Sequence, residues 1–161
     1  MQKRGQFQIS FGMIFSIIII IAIIGVAFYA ISSFLSLSNC SKIGIFYNDL
    51  KTYIEKAWQA TIHEDTLTAI LPSGIESVCF GDLTQSPSRK YTREYNEFLK
   101  LNKKTSNVFL YPPEKACDFS LSSIKLEHIK SPEFFCLPIK TGKVEIKTKR
   151  GEFDSLVEII Q

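Results

Sequence analysis

Between Gln6 and Ser41 the chain carries no charged residue, and the centre of this run is almost entirely aliphatic. Five consecutive isoleucines, Ile17–Ile21, stand near its middle. The hydrocarbon core of a bilayer is about 30 Å thick, so a spanning helix needs about 20 apolar residues. Because lipid offers no partners for backbone polar groups, a single segment can cross only as a helix. The run therefore predicts one transmembrane helix, which we place at residues 9–37.

Basic residues at the N-terminus orient this helix. Lys3 and Arg4 precede the run, and an excess of Lys and Arg marks the cytoplasmic side of a membrane. Residues 1–8 are then a cytoplasmic leader at the cell membrane, and residues 38–161 lie outside the cell, enough for one compact domain. Of the 19 Lys and Arg, 17 fall in this external part, against 16 acidic residues. Such a near-neutral balance predicts no nucleic-acid partner.

The leader carries two short motifs directly before the apolar run, Lys3-Arg4-Gly5-Gln6 and Gln8-Ile9-Ser10. In these motifs the chain resembles the archaeal type IV pilin-like proteins, whose leader is processed beside such a Gln. The resemblance covers the first 40 residues. It implies an apolar helix that bundles with the helices of like or related subunits. It also implies a processing region formed by Lys3, Arg4, Gly5, Gln6, Gln8 and Ser10.

The chain departs from that family pattern in two respects. Phe7 and a second Gln lie where the family has one Gln beside the cleavage point. The family also carries a Glu that is understood to neutralise the terminal amine of a neighbouring subunit. That position is Gly12 when counted from Gln8 and Ser10 when counted from Gln6. The leader therefore leaves open whether the chain is cut and whether it forms a filament.

An ordinary signal peptide is a further alternative for the apolar run. Its apolar core has only about 7–15 residues, roughly half of what this chain presents. Ala30-Ile31-Ser32 nevertheless has small residues at the spacing of an ordinary cleavage site. A cut there would release a secreted domain instead of an anchored one.

Residues 38–63 predict an amphipathic stalk that continues the same helix. Lys51 and Glu55 lie one turn apart on its polar side. No Pro occurs between Met1 and Leu71, so we expect one helix to about Ile62, followed by a turn at His63-Glu64-Asp65. Apolar residues recur three and four apart, which indicates one buried helical face that includes Trp58: Ile43, Phe46, Tyr47, Leu50, Ile54, Ala57, Trp58 and Ile62.

Beyond the stalk, residues 64–161 predict a domain of short strands. We expect the runs on either side of Pro72-Ser73-Gly74 to form a strand–turn–strand unit, and the last three runs to form an antiparallel meander. Pro138 indicates an edge strand. The fold class is then α+β, with a long N-terminal transmembrane-plus-stalk helix packed on a small antiparallel β-sheet, a pilin-like arrangement. The predicted strands are 66–71, 75–80, 107–111, 123–129, 134–139, 144–148 and 153–160, with a short helix over 91–101.

All the cysteines follow the apolar run, and there are four of them: Cys40, Cys79, Cys117 and Cys136. An even number in a small exported domain predicts two disulfides, and the spacings match no zinc site. Four cysteines allow three pairings, and the sequence leaves all three open. Short loops favour Cys40–Cys79 together with Cys117–Cys136.

A polar loop region at 86–104 is rich in basic residues that alternate with tyrosines. Such a composition can bind an anionic surface or polymer, although a solvated face has the same composition. We predict this segment as the contact surface of the external domain. Its basic residues are Arg89, Lys90, Arg93, Lys100, Lys103 and Lys104.

No motif for catalysis is present. The sequence lacks Gly-x-Ser-x-Gly, a Walker loop, His-Glu-x-x-His and Cys-x-x-Cys. Its two histidines, His63 and His128, are far from any cysteine pair. We therefore expect no enzymatic activity, no cofactor, no metal site and no small-molecule substrate.

Two functions from different classes remain. The first is a non-enzymatic, single-pass, pilin-like structural or surface-assembly subunit, whose partners are the lipid bilayer and like subunits. The second is a monomeric, membrane-anchored extracellular module that binds a partner through residues 86–104. The leader motifs favour the first, and the missing Glu favours the second.

Overall fold

A computed structural model describes residues 11–84 and 86–161, and the chain divides between Leu37 and Ser38 into two compact units. Short 3-10 turns cover Arg89–Tyr91, Pro113–Lys115 and Phe119–Ser122. The α-helices and β-strands are α1 (Phe11–Gln59), β1 (His63–Ile70), β2 (Ser77–Phe80), α2 (Thr92–Lys100), β3 (Val108–Tyr111), β4 (Ser123–Ile124), β5 (Ile129–Lys130), β6 (Phe135–Pro138), β7 (Lys143–Arg150) and β8 (Val157–Ile160).

The first unit consists of the apolar part of α1. By length and composition this helix can cross a membrane, and its most apolar stretch is not buried inside the described structure. Large hydrophobic side chains are exposed all along it, from Phe11 to Leu37. This segment is therefore a candidate membrane span.

In the second unit α1 buries the predicted apolar face. Ile43, Phe46, Leu50 and Ile54 are almost fully buried, as the spacing of three and four predicts. Long aliphatic and aromatic side chains at these positions supply one wall of the domain core. The helical face is thus confirmed up to Ala57.

Ile62, also predicted on this face, lies beyond the end of the helix and is 70% exposed. Trp58 is outside the core too, and the prediction that it belongs there is wrong. Its side chain is 37% exposed, and its ring stacks on His128 with centroids 3.7 Å apart. The indole Nε1 donates a hydrogen bond of 3.1 Å to the carbonyl of Ser155. Trp58 therefore covers the end of the domain and holds a loop there.

The helix ends at Gln59, earlier than the expected Ile62. The Arg150 guanidinium donates to the carbonyl of Ala60 just beyond the helix, and so satisfies a backbone acceptor at its end. His63-Glu64-Asp65, expected as a turn, is instead the start of β1, with His63 opposite Arg150. Pairing along the whole of β7 outweighs the local preference of these polar residues for a turn.

The first sheet has the order β1-β7-β8-β5 and lies against α1. β7 alternates cleanly, with Val144, Ile146 and Thr148 buried and the residues between them exposed, as in a sheet with one solvated face. The Thr148 hydroxyl lies 3.1 Å from the Tyr53 hydroxyl of α1 and 3.1 Å from His63 Nε2. The buried polar group is therefore hydrogen-bonded, as burial requires.

The second sheet has the order β4-β3-β2-β6 and is antiparallel throughout. All of β3 is buried, as expected for a continuous apolar run covered on both faces. The helix α2 covers one face, with the rings of Phe98 and Phe109 4.7 Å apart. β6 is an edge strand, as Pro138 predicts.

The α+β class is confirmed, but the strand connections differ from those expected. β1 and β2 lie in different sheets, so they form no strand–turn–strand unit. The run 123–129 is two short strands, one in each sheet, and β6 belongs to the second sheet, so the meander is also wrong. In addition, β5 pairs with β8 in parallel. An alternating pattern shows which residues face a core and does not show which sheet a strand joins.

The disulfides are Cys40–Cys117 and Cys79–Cys136, which corrects the pairing that short loops favoured. Cys79 and Cys136 are directly opposite in the β2–β6 ladder, with Cα atoms 3.9 Å apart. Cys40, near the start of the second unit in α1, meets Cys117 after the turn Pro113–Lys115. Strand and helix packing therefore decide the pairing, across sequence separations of 57 and 77 residues.

Proteolysis of the unreduced protein followed by mass spectrometry is expected to recover a Cys40 peptide joined to a Cys117 peptide, and Cys79 joined to Cys136. On the chain-entropy account, loops of this size stabilise the fold by about 4 kcal/mol each. Reduction before digestion is the control, since it should release all four peptides. A Cys40–Cys79 peptide would contradict the fold described here.

Substitutions in α1 test its division into buried and exposed positions. Ile54→Ala should lower the free energy of unfolding by about 2–5 kcal/mol, because it leaves a cavity in the core. Trp58→Ala should cost less, because part of that ring already faces water. The exposed Ile70→Ala is the matched control and should change stability by at most about 0.5 kcal/mol. The measurement is guanidinium unfolding of the full chain in detergent micelles, and equal losses for Ile54→Ala and Trp58→Ala would place Trp58 in the core.

Candidate functional site

The predicted processing region lies outside the described residues. This holds for Lys3, Arg4, Gly5, Gln6, Gln8 and Ser10. The predicted contact surface at 86–104 lies entirely within the described residues.

Three of the six basic residues of 86–104 line three separate recesses. Lys90 lines one beside Tyr91, Lys100 lines a second, and Lys104 lines a third. Two of the cations lie over aromatic rings. Lys90 Nζ is 5.0 Å from the Tyr91 centroid, and Arg93 is 5.8 Å from the Tyr111 centroid. The segment thus contributes to several small surfaces.

A recess with a volume of about 450 Å3 lies where β2, β3 and β5 end or begin. Three lysines line it, together with Asp82. Lys130 is already paired with Asp154 at 3.3 Å and Glu158 at 3.4 Å, and Lys125 is paired with Glu127 at 3.6 Å. The lysine charges are therefore largely neutralised by neighbouring carboxylates.

A smaller recess of about 200 Å3 exposes mostly apolar surface. Leu101, Pro113 and Phe119 form its walls, and the Phe119 ring is 52% exposed. Phe119 begins a 3-10 turn whose N-cap, Asp118, accepts a hydrogen bond from the Ser120 amide at 3.1 Å. Three charged residues also line it, namely Glu97, Lys100 and Glu114.

The turn between β7 and β8 presents the most exposed large hydrophobic residue of the described chain, Phe153, at 97%. The Asp154 amide donates to the carbonyl of Gly151 at 3.1 Å, which closes a β-turn with Glu152 and Phe153 at its centre. We call residues 151–155 the tip turn.

The tip turn is fixed on several sides. Asp154 Oδ2 accepts a 2.8 Å hydrogen bond from the Gly151 amide, and Asp154 Oδ1 lies 3.3 Å from Lys130 Nζ. Arg150 Nε donates to the carbonyl of Asp154 at 3.0 Å, and Trp58 holds the carbonyl of Ser155. The hydrogen bond from the Gly151 amide is the main cause of a pKa of Asp154 below its usual value, and the hydrogen bond from Lys130 is the second cause.

The tip turn and the apolar recess lie at opposite ends of the stalk part of α1. Trp58 contacts the tip turn, whereas Cys40 is bonded to Cys117, two residues before Phe119. The eighteen residues from Cys40 to Trp58 correspond to about 27 Å of helix, at 1.5 Å per residue. The domain therefore presents an apolar projection at one end and an apolar recess at the other.

Sequence reasoning missed both features. Phe153 was assigned to a strand, although Gly151-Glu152-Phe153-Asp154 has the composition of a turn that places Phe153 in solvent. Nothing in the sequence singles out Phe119. In the part of the chain from 11 to 161 that the structure describes, no group of His, Cys, Asp or Glu is placed to hold a metal ion. His128, one of the two histidines of the chain, packs on Trp58.

Comparison of the chain with protein-family models, with curated proteins and with solved structures finds no match.

The lowered pKa of Asp154 predicts a pH dependence. Because the folded-state pKa lies below the unfolded value of about 3.9, the carboxylate stabilises the fold above that value. This contribution is lost as pH falls through the folded-state pKa. Asp154→Asn should therefore lower the melting temperature at pH 7, and the two proteins should converge in acid. Glu152→Gln, in the same turn, is the control. An Asp154→Asn melting curve identical to wild type at pH 7 would show that these contacts do not hold the tip turn.

Proposed function

We propose that this chain is a non-enzymatic, pilin-like subunit, anchored in the cell membrane by the first part of α1, with residues 38–161 outside the cell. One observation carries the proposal. Over residues 11–37 α1 exposes large apolar side chains around its circumference, and the same helix then supplies the core face of an α+β domain. A surface of that kind requires lipid, or other apolar helices, around it.

The way apolar helices associate in lipid supports assembly with like subunits. Lipid tails are as apolar as isoleucine, so helices associate there by close packing and not by the hydrophobic effect. The exposed isoleucines of residues 17–24 are suited to packing against like helices. The leader-like Lys3-Arg4-Gly5-Gln6 supports the same assignment through the resemblance to pilin-like proteins, although the Glu of that family is replaced.

A monomeric anchored binding module is the second candidate, and one observation favours it. The recess of about 450 Å3 that includes Lys104 has the size of a small-ligand site, for which about 300–1,000 Å3 is typical. The pairing of Lys125 and Lys130 with carboxylates leaves little excess charge to attract an anion. We therefore favour the assembly subunit.

Photocrosslinking in membranes distinguishes the two candidates. The full chain carrying p-benzoylphenylalanine in place of Ile24 should form adducts between two copies on irradiation, because neighbouring helices pack at this depth. The same residue in place of Ile70, on β1 of the external domain, is the matched control and should give no copy-to-copy adduct. Adducts with lipid only at position 24 would contradict assembly and support the monomeric module.

A further inference from the structure

We propose that copies of this chain associate head to tail outside the membrane, with Phe153 of one copy seated in the recess formed by Leu101, Pro113 and Phe119 of the next. The inference rests on the proposed function, since it names a second contact of the same assembly. It commits to a like copy as the partner.

Phe153 has the properties of a binding anchor. Its ring is almost wholly exposed, while the backbone on both sides is held by hydrogen bonds to Gly151, Arg150 and Trp58. An anchor that is already fixed loses little conformational entropy on binding. Aromatic residues of this kind commonly carry most of the energy of an interface.

The recess suits a single side chain better than a free ligand. Its volume of about 200 Å3 is below the range of about 300–1,000 Å3 that small-molecule sites occupy. Its walls are a leucine, a proline and a phenylalanine, and the half-exposed Phe119 ring would lose contact with water when the recess is filled. An aromatic ring can pack against Phe119 at the preferred offset or edge-on geometry.

The charges around the two features are complementary. Glu152 stands next to Phe153, and Lys100 lines the recess. Lys149, two residues before the tip turn, has the charge opposite to that of Glu97 and Glu114, which also line the recess. Such pairs set orientation and partner choice more than affinity.

The placement of the two features indicates how copies would add. A projection and a recess at opposite ends of one domain make a heterologous contact, in which each copy uses a different surface toward each neighbour. Unless the rotation closes a ring, the contact repeats along an open chain. An elongated assembly requires a contact of this kind, whereas a two-fold dimer uses the same surface on both copies.

The test places p-benzoylphenylalanine at position 153 of the full chain in detergent micelles, where copies can shift along α1 relative to one another as a head-to-tail contact requires. Irradiation should join it to a peptide of another copy that contains Leu101 or Phe119, as identified by proteolysis and mass spectrometry. The control is the same residue in place of Ile70, which is exposed and lies outside both surfaces. Crosslinks from position 153 to a different segment, or to detergent alone, would overturn the proposal.

Variants of the recess provide a second measurement. Phe119→Ser should weaken the association measured through the position-153 adduct by about 30-fold, which corresponds to the loss of one aromatic hot spot of about 2 kcal/mol. Phe119→Leu keeps the wall apolar and should retain most of the yield. Because Phe119 is half exposed, neither change should unfold the domain, and a melting curve checks this. Equal yields for wild type and Phe119→Ser would overturn the proposal.

The result at position 24 separates this inference from the proposed function. Copy-to-copy adducts at Ile24 without adducts at Phe153 would leave helix assembly in place and overturn the head-to-tail contact. Absence of adducts at both positions would overturn both. Adducts at Phe153 with the recess peptide, lost in Phe119→Ser, would support the contact directly.

Discussion

The burial of one face of α1 is the interaction on which the external domain depends. Each large aliphatic or aromatic side chain on that face contributes about 1.5–3 kcal/mol when it is fully removed from water. Two hydrogen bonds join the helix to the rest of the domain. Tyr53 bonds to Thr148 of β7, and Tyr47 bonds to Leu121 just before β4. Burial raises the pKa of Tyr47, so its hydroxyl stays protonated and donates to the Leu121 carbonyl at 2.7 Å. The disulfide Cys40–Cys117 adds a covalent connection at the start of this segment.

The first part of α1 is not covered by the external domain. Upstream of Ser38 the exposed surface of α1 consists mostly of aliphatic and aromatic side chains, whereas downstream of Cys40 the exposed side carries Lys51, Glu55 and other charged residues. The change of surface within one helix means that the two parts require different surroundings. A bilayer or a bundle of like helices satisfies the first part, and water satisfies the outer side of the second.

The packing of the domain fixes the positions of Phe153 and Phe119, the two residues that we assign to assembly. Arg150, at the end of β7, both satisfies the Ala60 carbonyl and holds the tip turn, so the end of α1 and the position of Phe153 are structurally coupled. At the other end, the packing of residues 117–121 on α1 fixes the position of Phe119. The surfaces that we propose for contacts between copies are therefore consequences of how the core is closed.

Much of this fold could be predicted from the sequence, because periodicity reports burial directly. The apolar run and the face from Ile43 to Ala57 were predicted on that basis, and a strand was predicted at 144–148. What could not be predicted depends on distant parts of the chain. Trp58 continues the apolar spacing, but the domain ends there and His128 meets its ring. Cys79 pairs with Cys136 because β2 and β6 are neighbours, and no local pattern in either strand indicates this.

Of the two features at the ends of the domain, the tip turn has a local signal in Gly151-Glu152-Phe153-Asp154, whereas the recess has none. The exposure of Phe153 depends on the tip turn, and the recess exists only because Leu101, Pro113 and Phe119 converge from separate segments.

The intact mass of the protein extracted from membranes tests most directly the central claim that the first part of α1 is a permanent part of the mature molecule. We expect a mass that retains residues 11–37. Loss of residues 1–5 or 1–7 would indicate processing of the pilin type and favour assembly, and an uncut chain would favour a simple anchor. Reduction should add about four hydrogens, two for each disulfide. A mature chain that begins near Ser32 would contradict the account, because a domain without the apolar helix has neither an anchor nor a helical surface for assembly.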